Sequence, residues 1–247
     1  MAKKERADKL LAARGLADSR SKAQALIMAG TVFSGETRID KAGALLAEDT
    51  PLRVKGKDHP YVSRGGIKLA HGLAHFGLSP DGCTCLDLGS STGGFVDVLL
   101  QNGAEKVYAV DVGKGQLDWS LREDPRVEVC EGVNARYLET THVSDPVGFI
   151  TCDVSFIGLE KVIPAALACA AAECTLVALI KPQFQAGRAE VGKGGVVREV
   201  SVHKRVCQEI EEWLGGTVGW QVLGIEESPI TGPKGNREFL IAAKQRP

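Results

Sequence analysis

Four ionisable side chains stand at the ends of apolar runs. Lys68 opens a predicted helix at 66–76, Asp153 closes the run 147–153, Lys181 follows the run 175–180, and Glu238 begins the run leading to residue 243. A charge at the end of an otherwise apolar strand needs a partner or a chemical task. One such residue is ordinarily half of a salt bridge, and for Glu238 alone that is the default. Two amines and two carboxylates on one edge of a sheet favour chemistry instead, of the kind that holds and moves protons.

A second constellation lies between residues 87 and 134. The first strand ends in Asp87-Leu-Gly-Ser-Ser-Thr-Gly-Gly-Phe95 and runs directly into a helix. Glycines there let a backbone approach a ligand at the carboxyl end of a parallel strand. The next strand ends in Asp111, 22 residues beyond Gly89, where a carboxylate can accept from ribose hydroxyls. Together they point to an adenosine-containing cofactor. The G-x-x-x-G-G spacing is not the dinucleotide fingerprint, and Asp87 would repel a pyrophosphate but welcome a cationic amino-acid portion. Both details favour S-adenosylmethionine over NAD. The candidate cofactor residues are Asp87, Gly89, Ser91, Thr92, Gly93, Gly94, Phe95, Asp111, Val112 and Asn134. Asn134 could read an adenine edge or simply make a turn.

These residues need an alternating scaffold. Strands are predicted at 83–88, 106–111, 127–130, 147–153 and 175–180, and helices at 66–76, 94–101, 115–121, 159–172 and 202–214. Such alternation implies a parallel sheet covered on both faces. Two last strands, at 220–225 and 237–243, flank the hairpin-like SPITGPKGN, so the terminal strand should run antiparallel to its neighbour.

Ahead of this body lies a different module. Ala7–Arg14 reads as a helix ended by Gly15, and a second helix runs from an N-cap at Asp18 or Ser19 to Ala29, closed by Gly30. Short β-prone pieces follow at 31–34, 36–39 and 52–55, and KGKDHPYVSRGG reads as a linker. Residues 1–60 hold 12 Lys/Arg and 8 Asp/Glu, while residues 61–247 hold 18 and 23. The net charge of −1 therefore sums a +4 head and a −5 body, an asymmetry that suggests nucleic acid as a partner of the head. The seven cysteines include no CxxC pair, which argues against a disulfide framework or zinc site. No apolar stretch approaches a membrane span, and the charged N-terminus is no secretory signal. A cytoplasmic protein is expected. His71 and His75 could share a metal, but no third ligand follows at suitable spacing, so no metal is expected.

The head resembles the S4 RNA-binding domain through Arg6, Leu10, Gly15, Leu16, Ser19-Arg20, Lys22-Ala23, Leu26-Ile27, Gly30, Val32 and Gly35. Its loop reads Phe33-Ser34-Gly35 where the family usually has Val-Asn-Gly. The resemblance implies that Arg20 and Lys22 face RNA, supported by Lys3, Lys4 and Arg6; Arg64 is a further RNA candidate. The Lys68–Asp153–Lys181–Glu238 set resembles that of FtsJ-like RNA ribose 2′-O-methyltransferases, and the whole chain resembles the TlyA family of ribosomal RNA methyltransferases, often labelled haemolysins. The motifs are VSRGGxKL, DLGxSTGGF, VDVGKGQL, DVSFI, KPQF and GGVV. Departures are Gln185, commonly Glu, and Gly158, commonly Ser.

The resemblance implies a Rossmann-like α/β methyltransferase sheet with an antiparallel last strand, preceded by a small α+β S4 domain. The expected boundaries are 1–58 for the head, 59–65 for the linker and 66–247 for the methyltransferase. It implies S-adenosylmethionine-dependent methylation of a cytidine 2′-hydroxyl in ribosomal RNA, with Lys181 as base and Lys68, Asp153 and Glu238 orienting. Ribosomal RNA, or a ribosomal subunit, is the expected partner. No membrane or DNA partner is expected, and a monomer is favoured. Longer members modify both subunits; this chain stops just past its last strand, which leans toward the large subunit alone. Rival readings are a non-catalytic RNA-binding or ribosome-assembly module, a membrane-lytic haemolysin, and a small-molecule dehydrogenase.

Overall fold

The computed structural model describes residues 4–17, 19–28, 30–55 and 59–245. Asp18, Ala29, Lys3 and the linker residues 56–58 lie outside them. The chain divides into two units, Met1–Pro60 and Tyr61–Pro247.

The first unit contains β1 (Lys4–Arg6), α1 (Ala7–Ala13), α2 (Arg20–Met28), β2 (Val32–Ser34), β3 (Thr37–Arg38), β4 (Leu45–Ala47) and β5 (Arg53–Val54). β1 pairs with β4, and β2 lies between β3 and β5. The Ser19 hydroxyl accepts from the Lys22 N–H at 3.1 Å, satisfying one of the donors that a helix start leaves unpaired. Leu11, Ala23, Ile27 and Val32 form the small core. The pair β1–β4 was not expected. Three-residue strands carry too little period to announce themselves, and Lys-Glu-Arg has no apolar face.

Asp8 is fully buried in this unit. Its carboxylate accepts from Arg6 Nε at 3.0 Å and Nη2 at 2.9 Å, from Arg20 Nε at 3.0 Å and from Gln24 Nε2 at 2.8 Å. The Arg6 hydrogen bond, with help from Gln24 and Arg20, holds this carboxyl far below its ordinary range. Its folded value is depressed, so the contribution is complete at neutral pH and fades as pH falls below the ordinary carboxyl value of about 3.9. Asp8→Asn is expected to cost the unit about 2 kcal/mol, measured by chemical denaturation at pH 7, with the difference from wild type shrinking in acid.

The second unit comprises α3 (Gly65–Phe76), β6 (Thr84–Leu88), α4 (Gly94–Gln101), β7 (Lys106–Asp111), α5 (Trp119–Arg122), β8 (Val127–Glu131), β9 (Val147–Cys152), α6 (Ile163–Leu167), β10 (Ala170–Ile180), α7 (Pro182–Gln185), α8 (Val200–Glu212), β11 (Gln221–Glu227) and β12 (Phe239–Lys244). Tyr61 and Val62 already belong to it: the Val62 N–H donates to Asp97 Oδ2 at 2.7 Å. One seven-stranded sheet has the order β11-β12-β10-β9-β6-β7-β8. β10, β9, β6, β7 and β8 run parallel, and β12 is antiparallel to both its neighbours. Successive strand residues feed opposite cores. Leu176, Ala178 and Ile180 join the layer with Ile163 of α6 and Val206 of α8. Val177 and Leu179 join Leu69 of α3 and Leu99 of α4. Burial on both faces is why these strands read as unbroken apolar runs.

Two predicted helices are corrected. The helix at 115–121 shrinks to α5, because Gly115 takes a φ of +68° and the Asp118 side chain caps at Ser120 N–H, 3.0 Å away. The helix at 159–172 becomes a 3-10 turn at Leu159–Lys161 and the five-residue α6. The alanine-rich tail beyond it enters β10, where Ala170 pairs with Val147. Alanine's helix propensity is a weak prior that sheet pairing overrides.

Candidate active site

The topology explains how four residues far apart in sequence meet. Asp153 and Lys181 follow the carboxyl ends of β9 and β10, and Glu238 precedes β12. An antiparallel strand begins at the edge where its parallel neighbours end. Register completes the match, since Ile180 pairs with Phe239 and Ala178 with Cys152. Lys68 enters from α3.

The four form a chain of alternating charge. Lys181 Nζ lies 2.5 Å from Asp153 Oδ1 and donates to Ser155 Oγ at 3.1 Å and to the Asp153 carbonyl at 3.3 Å. Asp153 Oδ2 is 3.7 Å from Lys68 Nζ, which donates to Glu238 Oε2 at 2.6 Å. Glu238 is 1% exposed, and Lys68 and Lys181 are 7% exposed. Buried ions at these distances are tolerable only as partners. Gly232 is required beside them: a Cβ there would stand 2.0 Å from Glu238 Oε1.

Two adjoining cavities meet at this chain. The first, about 370 Å³, exposes Lys68, Asp153, Lys181 and Glu238 together with Ser63, Arg64, Ser90, Thr92, Gly94 and Phe95. The second, about 310 Å³, has walls of Val110, Val133, Val154, Ile157 and Val162, with Asp111, Val112 and Asn134 among its lining. Gly89, Ser91, Asp153 and Ser155 border both. Gly89, at φ +82°, packs so closely on Asp153 that a Cβ would lie 2.9 Å from its carbonyl oxygen. Ser91 holds a positive φ of 47°, and its N–H donates to Asp111 Oδ2 at 2.8 Å. The other oxygen of Asp111 accepts from the Gly113 N–H at 2.7 Å.

Two of the candidate cofactor residues stay off the cavity walls. Asp87 is wholly buried and lines neither cavity. It accepts from Thr151 Oγ1 at 2.7 Å, and burial pushes its carboxyl up to about 7. Its hydrogen-bond partner is thus Thr151 of the adjacent strand β9. Gly93 also stays off the walls, backed by Leu117 and Leu121. Asn134 lines the second cavity, but its Oδ1 accepts from the Arg136 N–H at 3.1 Å, so the turn role is filled as well.

Among the RNA candidates, Arg6 and Arg20 share Asp8, Lys22 is exposed on α2, and Arg64 donates to the Thr231 carbonyl on the wall of the first cavity. Sequence reasoning missed Ser63, Ser155 and Phe156. Phe156 is 90% exposed with a φ of +65°, a strained setting for an aromatic residue, and its ring lies 5.0 Å from that of Phe184. Only the DVSFI motif offered a signal for it. The two departures from the family pattern are neighbours: a Cβ on Gly158 would stand 2.5 Å from Gln185 Oε1. That oxygen accepts from the Leu159 N–H at 3.2 Å, in space that a side chain at position 158 would occupy.

Comparison with known proteins gives the family of both units. The family model for FtsJ-like methyltransferases matches residues 61–245, and that for the S4 domain matches residues 5–49. The chain is 48% identical over 240 residues to YqxC of Bacillus subtilis, covering 97% of this chain and 85% of that one. It is 42% identical over 246 residues to the 16S/23S rRNA (cytidine-2′-O)-methyltransferase TlyA of Mycobacterium tuberculosis, covering 98% and 90%. A solved structure, "Putative hemolysin from Streptococcus thermophilus", shares 44% identity and a TM-score of 0.75 over 99% of this chain and 90% of that one.

Proposed function

This chain belongs to the FtsJ-like methyltransferase family, and from that membership we propose that it methylates a cytidine ribose 2′-hydroxyl of ribosomal RNA, using S-adenosylmethionine. The carrying observation is the Lys181–Asp153–Lys68–Glu238 chain at the junction of two cavities. The second cavity suits an adenosine. Its valine and isoleucine walls take a flat base, and Asp111, with about four lone-pair sites on its two oxygens, keeps acceptors for ribose hydroxyls. The first cavity takes the acceptor nucleotide.

When bound, S-adenosylmethionine supplies a methyl group on a sulfonium, already a strong electrophile. The protein's task is alignment and proton handling. Lys181 is held by Asp153 and Ser155, so its Nζ meets the acceptor hydroxyl in a fixed position and handles the proton there. Asp153 links the two lysines. Lys68 and Glu238 fix the far end of the chain and keep the cavity's charge balanced. The unit ending at residue 60 is the RNA-binding part, with Arg20, Lys22 and Arg6 on the RNA side, and the methyltransferase begins at Tyr61. The protein acts in the cytoplasm, as a monomer. The relative at 42% identity is named for both ribosomal subunits, so subunits of both kinds are the substrates to try.

The rival readings are separated by experiment. Among the described residues no helix is long and apolar enough to cross a membrane. A non-catalytic RNA module has no use for the buried chain of charges. Calorimetric titration with S-adenosylmethionine, without and with RNA, is expected to give one site per chain. No binding in either condition would favour the module.

Phe156 borders the second cavity and leaves its ring 90% exposed, and we place the target base against that exposed part, beside the bound adenosine. Phe156→Ala is expected to weaken use of the RNA substrate by about 5- to 150-fold, the equivalent of the 1–3 kcal/mol typical of base–aromatic stacking, without lowering the melting temperature. Steady-state kinetics with RNA as the varied substrate measure it.

A further inference from the structure

A cluster of three metal-ligating side chains lies apart from the cavities described above. His71 and His75 are four residues apart on α3, so both imidazoles leave one face of the helix. That spacing alone offers only two ligands. The third comes from the sheet: Glu226 of β11 reaches the same point. Glu226 Oε1 is 3.3 Å from His71 Nε2, and Glu226 Oε2 is 3.7 Å from His75 Nε2. One ligand atom from each of the three residues can be chosen so that all lie within 4.8 Å of one another.

These distances have a chemical meaning. Zinc binds imidazole nitrogen and carboxylate oxygen at about 2.0–2.1 Å, and at tetrahedral angles two such ligands stand about 3.3–3.4 Å apart. The His71–Glu226 pair already has that separation. The three side chains are between 33% and 43% exposed, so small rotations can close the remainder and water can complete the shell. Two imidazoles and one carboxylate suit a borderline first-row divalent ion better than calcium or magnesium.

We propose that His71, His75 and Glu226 form a binding site for a divalent transition-metal ion of the zinc class. An ion there would clip α3, the helix that carries Lys68, to the edge strand β11. The site lies on the flank of the fold and takes no part in the methyl-transfer chemistry.

The test is calorimetric titration of metal-free, full-length protein with Zn²⁺ and with Co²⁺. One ion per chain is expected, with an accompanying rise in melting temperature. His71→Ala, His75→Ala and Glu226→Gln are each expected to weaken binding at least about tenfold and to suppress that rise. Their melting without metal checks that they fold. The cobalt form is expected to show visible d–d absorption without a thiolate charge-transfer band, which separates this site from the chain's cysteines. Wild-type protein that fails to bind saturably, or affinity unchanged in all three variants, would overturn the proposal. None of these readouts depends on methyl transfer.

Discussion

Lys181→Ala is expected to lower methyl transfer by about 10³-fold or more, while S-adenosylmethionine binding stays near its wild-type value. The split follows from position. Lys181 lines the first cavity, where the acceptor hydroxyl must sit, and is absent from the walls of the second. Its Nζ is oriented by Asp153 and Ser155, so the variant removes a group already fixed in place. Lys181→Arg should be nearly as inactive, because a guanidinium stays charged and cannot take up a proton. Single-turnover rates with labelled cofactor, beside calorimetry, distinguish lost chemistry from lost binding. Wild-type turnover in Lys181→Ala would remove the residue from the mechanism.

The second large effect concerns Lys68 and Glu238. Lys68→Met leaves a carboxylate that is 1% exposed without the ammonium that donates to it at 2.6 Å. Breaking a buried pair from one side costs about 3–5 kcal/mol, and Glu238→Gln should behave similarly. The double variant removes both charges and should be less destabilised than the sum of the two. Methyl transfer should be lost in all three. Denaturation and activity on the same preparations would therefore diverge: stability partly recovers in the double variant, while activity does not. Recovery of both would make the pair purely structural.

The parts legible in the sequence are those governed by two-sided burial. β7 and α4 fall on their expected spans because long apolar runs between turn residues permit few other readings. The meeting of Asp153, Lys181 and Glu238 was legible for the same reason, since each borders such a run. Where the outcome depended on packing between distant segments, the sequence was silent. Nothing near Asp8 indicates that it will bind Arg6 and Arg20 at once; that requires α1 and α2 to dock. Nor does the D-L-G pattern say that Asp87 faces Thr151 across the β6–β9 pair and not the cavity. Ser155 and Phe156 lie in a loop without period, and Glu226 joins His71 only because α3 packs on β11.

The central claim is that the protein places a methyl group on a ribose 2′-oxygen. That modification has a direct chemical signature: alkaline cleavage of RNA needs a free 2′-hydroxyl to attack the neighbouring phosphate, so a methylated position resists it. Ribosomal RNA from isolated subunits, incubated with S-adenosylmethionine and either wild-type or Lys181→Ala protein, can be mapped for alkali resistance at single-nucleotide resolution. The account predicts new resistant linkages at cytidines with the wild-type protein and none with the variant. Methyl groups on bases with no resistant linkage, or equal resistance with both proteins, would contradict it.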